Sequence, residues 1–68
     1  MTTMSLKAAR VNAGFTMNEA AKQLNVAVST LMSWEHGETE PKVTQALQLA
    51  ALYGVTVNNL IFLQNQST

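Results

Sequence analysis

The most informative part of the chain is Glu19-Ala20-Ala21-Lys22-Gln23-Leu24-Asn25-Val26-Ala27-Val28-Ser29-Thr30-Leu31. Ala20 and Ala21 are small enough to let two helices approach closely, and Leu24 follows on the same helical face. Asn25 interrupts this pattern, and asparagine tolerates a positive φ better than other non-glycine residues, so it favours a tight turn. The stretch therefore predicts two short helices joined by a turn of about four residues, a helix-turn-helix arrangement. On these residues alone, other helical corners have a similar pattern.

Helical periodicity extends upstream of this stretch. One face of the first predicted helix carries Leu6, Ala9, Arg10 and Ala13. Ser5 can cap the start of this helix, and Gly14 stands where a left-handed residue would end it. The second helix opens with Thr16-Met17-Asn18-Glu19, which predicts a capping box between Thr16 and Glu19.

Helical periodicity also continues downstream. The third helix is predicted from about Val28 to His36, with Gly37 as its stop. The apolar face of a fourth helix, closed by Gly54, carries Val43, Ala46, Leu49, Ala50 and Tyr53. A short fifth helix, capped by Thr56, would carry Val57, Leu60 and Ile61. No segment has the period of a strand, so the predicted fold class is all-α, a compact bundle of five short helices.

Length and composition exclude several classes of protein. The chain has 68 residues, which predicts a single domain (residues 1–68) with a core at about 5–63 and a frayed tail at 64–68. It has no cysteine, no aspartate and one histidine, so we predict no metal, no cofactor and no enzymatic activity. No apolar run approaches the roughly 18 residues of a membrane span. No signal peptide is visible, and we expect a cytoplasmic protein without membrane partners.

Residues in all five predicted helices and in their connections match one known pattern. They are Leu6, Arg10, Gly14-Phe15-Thr16, Glu19, Ala21, Leu24, Val26, Ser29, Thr30, Leu31, Trp34-Glu35-His36-Gly37, Pro41, Ala50, Gly54-Val55-Thr56 and Leu60. Through these residues the span from about Leu6 to Phe62 resembles the Cro and CI repressor family, also called the XRE family. In that family the motif W-E-x-G closes helix three. The resemblance implies a lambda-repressor-like DNA-binding domain. It also implies a small transcriptional regulator, from a phage or prophage genetic switch, that binds operator DNA through helix three.

The resemblance further implies an ion pair between Arg10 of helix one and Glu35 of helix three. Both residues lie on otherwise apolar helical faces, where an unpaired charge would be costly. We therefore predict that this pair is structural.

The outward face of helix three supplies the first candidate DNA-binding residues, because Leu31 and Trp34 of that helix point inward. These candidates are Val28, Ser29, Met32 and Ser33. None is an arginine, lysine, asparagine or glutamine, the residue types that discriminate bases most strongly. Three residues at helix ends complete the set, namely Met17, His36 and Lys42. For His36, a favourable interaction with the helix dipole is the simpler prediction.

Charge predicts weak binding of DNA by a monomer. Four basic residues balance four acidic ones, and three of each remain once Arg10 and Glu35 are paired. Glu38 and Glu40 follow helix three, where the family often has basic residues, and they would oppose contact with phosphates. The dependence of log affinity on log salt should therefore be shallow, about −2 to −3 per protomer. A homodimer would add a second half-site.

A second hypothesis keeps the fold and changes the partner. Some small phage proteins of this family are modulators of repression, which bind the cognate repressor protein and not DNA. Methionine adapts readily to partner surfaces, and this hypothesis places a partner-protein patch at Met17, Val28, Met32, Phe62 and Leu63. An antitoxin of this fold is a third option, to which no particular residue points.

Overall fold

The computed structural model describes residues 4–61. In chain order the elements are β1 (Met4–Ser5), α1 (Leu6–Asn12), α2 (Met17–Leu24), α3 (Val28–His36), α4 (Val43–Tyr53), a 3-10 turn (Val57–Asn59) and β2 (Leu60–Ile61). The two short strands pair in parallel, with Met4 opposite Leu60 and Ser5 opposite Ile61. The fold of the described part is thus helical and contains a helix-turn-helix formed by α2 and α3.

The prediction of a fifth helix is wrong. After α4 the described chain makes a single 3-10 turn, and Leu60 then has an extended backbone (φ −93°, ψ 141°). Valine and asparagine are weak helix formers, so the turn at Val57–Asn59 gains little from propensity. The extended backbone instead lets Leu60 pair with β1 and bury its side chain. Two-residue strands are too short to show a period of two, so they could not be predicted from the sequence.

Side-chain caps begin the first two helices as predicted. The backbone amide of Ala8 donates to Ser5 Oγ over 3.1 Å. The capping box is complete, since the amide of Glu19 donates to Thr16 Oγ1 (3.1 Å) and the amide of Thr16 donates to Glu19 Oε1 (2.9 Å). The two helices therefore start at positions that local chemistry fixes.

The core lies where the four helices meet. Its buried residues are Leu6, Ala9, Ala20, Ala21, Leu31, Trp34, Leu49, Ala50, Tyr53 and Leu60. The small side chains of Ala20 and Ala21 bring α2 close to its neighbours, as the sequence predicts. Val43 is an exception to the predicted buried face of α4, because it is 76% exposed. It is the first residue of α4, and Cβ bonds in a helix tilt toward the N-terminus, away from the part that packs on the core.

The start of α3 lacks a side-chain cap, and this predicts an easy stabilisation. Ala27 has the extended backbone of an N-cap residue (φ −70°, ψ 150°), but its methyl group cannot accept a hydrogen bond. We expect Ala27→Ser to raise the free energy of unfolding by about 1 kcal/mol. In thermal unfolding followed by circular dichroism, this corresponds to a rise in Tm of about 4–8 °C.

The matched control for this substitution is Ala51→Ser, at an exposed position inside α4. There serine is expected to lower stability slightly, because it is a poorer helix former than alanine. Equal shifts of Tm in the two variants would contradict the capping explanation.

Candidate nucleic-acid interface

A left-handed residue makes the turn between α2 and α3. Asn25 has φ 59° and ψ 44°, and its backbone amide donates to the carbonyl of Lys22. The amide of Val26 donates back to the carbonyl of Ala21 over 3.0 Å. The chain then extends through Ala27 and enters α3. This turn fixes the direction in which α3 leaves α2, and it confirms the role predicted for Asn25.

α3 has one covered and one uncovered face. Leu31 and Trp34 are buried in the core. On the other side Ser29, Met32 and His36 are exposed, while Val28 and Ser33 are half-buried. With 3.6 residues per turn these five positions form a continuous surface, here called the outward face of α3. The structure thus brings together five of the seven predicted DNA-binding residues.

The other two predicted DNA-binding residues lie on neighbouring elements. Met17 is the first residue of α2, and Lys42 precedes the first residue of α4 and is exposed. The amide of Lys42 donates to Gln45 Oε1 over 2.9 Å, which caps the start of α4 and leaves the ammonium group at the surface.

The predicted partner-protein patch is only partly available. Met17 and Val28 pack against the buried core, so only part of each side chain faces solvent. Met32 is 41% exposed. Phe62 and Leu63 lie outside the described residues.

The loop after α3 brings the carboxylate of Glu38 to the edge of the outward face, and its contact with Ser33 was not predicted from the sequence. The amide of Glu38 donates to the carbonyl of Ser33 over 2.9 Å, and Ser33 Oγ donates to Glu38 Oε1 over 3.4 Å. Gly37, with φ 78°, makes this return of the chain possible. A glycine at this position is the sequence signal of such a motif, in which the next residue bonds back to the last helical turn. Gly37 could therefore have been used to predict from the sequence that Glu38 lies beside Ser33.

An ion pair between Arg10 and Glu35 connects α1 to α3. Arg10 Nε lies 2.7 Å from Glu35 Oε2, and Nη2 lies 3.3 Å from Oε1. Arg10 Nη1 also donates to the carbonyl of Phe15 over 3.0 Å, so one guanidinium holds α1, the α1–α2 connection and α3 together. The hydrogen bond to Glu35 raises the pKa of Arg10 against the opposing effect of burial. The pair is almost enclosed, with side-chain exposures of 10% and 3%.

Tyr53 of α4 packs against Phe15, the residue whose carbonyl accepts from Arg10. The two ring centroids are 6.2 Å apart and the ring planes are tilted by 43°. Burial, with the nearby Glu35 carboxylate, raises the pKa of Tyr53 to about 12. The phenol is therefore neutral at physiological pH and serves as a packing group.

Other kinds of site are not seen in residues 4–61. That part of the chain has no group of three histidine, cysteine, aspartate or glutamate residues placed to hold a metal ion. None of its helices combines the length and the apolarity needed to cross a bilayer.

Comparisons with known proteins agree with this geometry. The model of a helix-turn-helix family (HTH_3) matches residues 6–60, which run from the start of α1 to β2. The HTH-type transcriptional regulator ImmR of Bacillus subtilis (strain 168) is 38% identical over 56 residues, covering 82% of this chain and 44% of ImmR. The chain thus spans less than half the length of this relative. No solved structure matches the chain significantly.

Proposed function

The chain belongs to the Cro/CI-type (XRE) helix-turn-helix family of transcriptional regulators, and we propose that it acts by binding operator DNA through the outward face of α3. The observation that carries this proposal is the division of α3 into two faces. Leu31 and Trp34 anchor the helix in the core, while the opposite face is left uncovered at the surface. A recognition helix needs this arrangement to enter a major groove. An origin in a phage or prophage switch remains a prediction from the resemblance.

Charge favours a dimer as the DNA-binding species. Apart from Arg10 and Glu35, the charged residues of the chain are exposed, three basic and three acidic. The carboxylate of Glu38 beside Ser33 opposes phosphates at one edge of the outward face. One protomer therefore has few favourable phosphate contacts, and two protomers on two half-sites would supply twice as many.

A charge placed on the outward face tests the proposal. We expect Ser29→Glu to weaken DNA binding at least about tenfold, because a buried carboxylate in the groove meets the polyanion and finds few donors. Fluorescence anisotropy on duplexes from the region upstream of the protein's own gene measures the affinity.

The matched control is Val11→Glu, which adds the same charge at a position on α1 that is 56% exposed. The loss of DNA affinity in this variant is expected to be no larger than the general effect of adding one negative charge to the protein. Equal losses of affinity in Ser29→Glu and Val11→Glu would show that α3 has no special place in the complex. The slope of log affinity against log salt, measured with the unmodified chain, reports the number of phosphates neutralised, and a slope about twice the −2 to −3 expected for one protomer would indicate that two protomers bind.

A second function has an observation of its own. Four large apolar side chains of the described part are well exposed: Val11, Met32, Val43 and Leu47. Exposed apolar groups favour a protein partner, so a modulator that binds a cognate repressor is the second candidate. Binding to upstream duplexes that is no better than binding to random duplexes, with a change in anisotropy only when the repressor is added, would favour this function.

A further inference from the structure

The outward face of α3 lacks the groups that usually read bases. Its side chains are one isopropyl group, one thioether, two hydroxyls and, at the end of the helix, one imidazole. Bidentate contacts to guanine from arginine or lysine, and to adenine from asparagine or glutamine, are therefore excluded on this face. If α3 enters the groove as proposed above, its sequence preference must come from a different contact.

The C-terminal part of the outward face is poorly placed to supply that contact. The hydroxyl of Ser33 donates a hydrogen bond to the carboxylate of Glu38, which lies beside it. This negative charge disfavours close approach of DNA phosphates. In helix-turn-helix proteins the N-terminal residues of the recognition helix contact base edges, so the contact falls to Val28, Ser29 and Met32.

Val28 and Met32 present apolar groups on the same side of α3. They are four residues apart, so they lie on one side of α3 and are separated by about 6 Å along its axis. Val28 is held against the core, and its branched side chain is stiff, whereas Met32 is 41% exposed and adaptable. Among the groups that base pairs display in the major groove, the 5-methyl group of thymine is the one that favours apolar contact.

We infer that Met32 and Val28 are specificity-determining residues that recognise the 5-methyl groups of thymines in the operator. This inference rests on the proposed function. Base pairs are spaced by about 3.4 Å, so a 6 Å separation spans at most about two base-pair steps. The contacted thymines of a half-site thus lie within about three consecutive base pairs. Ser29, which can donate or accept, contributes hydrogen bonding with little discrimination.

Removal of single methyl groups from the DNA tests the inference. A pool of random duplexes is enriched for binding to the purified chain, and the best duplex is resynthesised with single thymines replaced by deoxyuridine, which lacks only the methyl group. Anisotropy is expected to show about fourfold weaker binding at each contacted thymine, the value of one buried methyl group. Replacements at thymines outside the half-sites are the control and should leave the affinity unchanged.

Protein variants assign the effect to residues. Met32→Gln keeps the length of the side chain at an exposed position, so it should fold, and it should abolish the difference between thymine and deoxyuridine at one position of each half-site. Val28→Ala should abolish the same difference at the other contacted position of each half-site. Methyl dependence that is unchanged in both variants would overturn the inference.

The two proposals fail in different ways. Failure to enrich any sequence would overturn the proposed function, and this inference with it. An enriched sequence that binds equally well after every deoxyuridine replacement would overturn the inference alone and leave operator binding by α3 in place.

Discussion

Arg10→Met is expected to lower the free energy of unfolding by about 3–5 kcal/mol, because it leaves the Glu35 carboxylate enclosed without its partner. The side chain of Glu35 is only 3% exposed, and both hydrogen bonds that the structure gives it come from Arg10. A domain of this length has a total stability of roughly 3–10 kcal/mol, so the variant should be largely unfolded or close to it. Urea unfolding followed by the fluorescence of Trp34, the single tryptophan, measures the loss.

The double variant Arg10→Met/Glu35→Leu is the control for this prediction. Replacing both charges by apolar groups of similar size removes the unpaired carboxylate, and it should restore most of the lost stability. A loss below about 1 kcal/mol in Arg10→Met would be typical of an exposed pair and would contradict the enclosed geometry.

Leu31→Ala is the second large effect that we expect. Leu31 is 0% exposed and belongs to the buried side of α3, so its truncation should leave a cavity and cost about 2–5 kcal/mol. The same unfolding assay applies. Leu47→Ala, on α4, makes the same chemical change at a side chain that is 56% exposed, and it should alter stability by no more than about 0.5 kcal/mol.

The contrast between these two leucines tests the orientation of α3 within the fold. If both truncations had the same small cost, Leu31 would not be in the core. The face of α3 assigned to reading DNA would then be wrongly oriented, because it is defined as the side opposite Leu31 and Trp34.

Local chemistry explains why much of the fold could be predicted from the sequence. The capping box at Thr16 and Glu19, and the left-handed turn at Asn25, depend on residues a few positions apart, and both are present. The alanines at positions 20 and 21 predicted close packing for the same reason, since small size is a local property.

Features that depend on distant parts of the chain were missed. Leu60 is extended because β1, more than fifty residues earlier, offers it a pairing partner, and helical periodicity gave no hint of this. Helical spacing likewise placed Val43 on the buried face of α4, although only the packed structure decides which turn of a helix the core covers.

The candidate site also has features that could be predicted from local sequence and features that depend on distant parts of the chain. The outward positions of α3 follow from its period, since Ser29 and Met32 lie opposite the buried Leu31. The partial burial of Met17 and Val28 and the bond between Ser33 and Glu38 depend on how elements and loops meet in space. These details alter the chemistry of the face, because they leave Met32 as its main exposed apolar group.

The most direct test of DNA binding through α3 is an NMR titration of the isotope-labelled chain with the enriched duplex. If α3 binds DNA, we expect the largest changes in amide shifts along the outward face of α3, at Val28, Ser29 and Met32, with smaller changes at Lys42. Large changes confined to the exposed residues Val43 and Leu47 of α4, with the amides of α3 unaffected, would contradict DNA binding through α3.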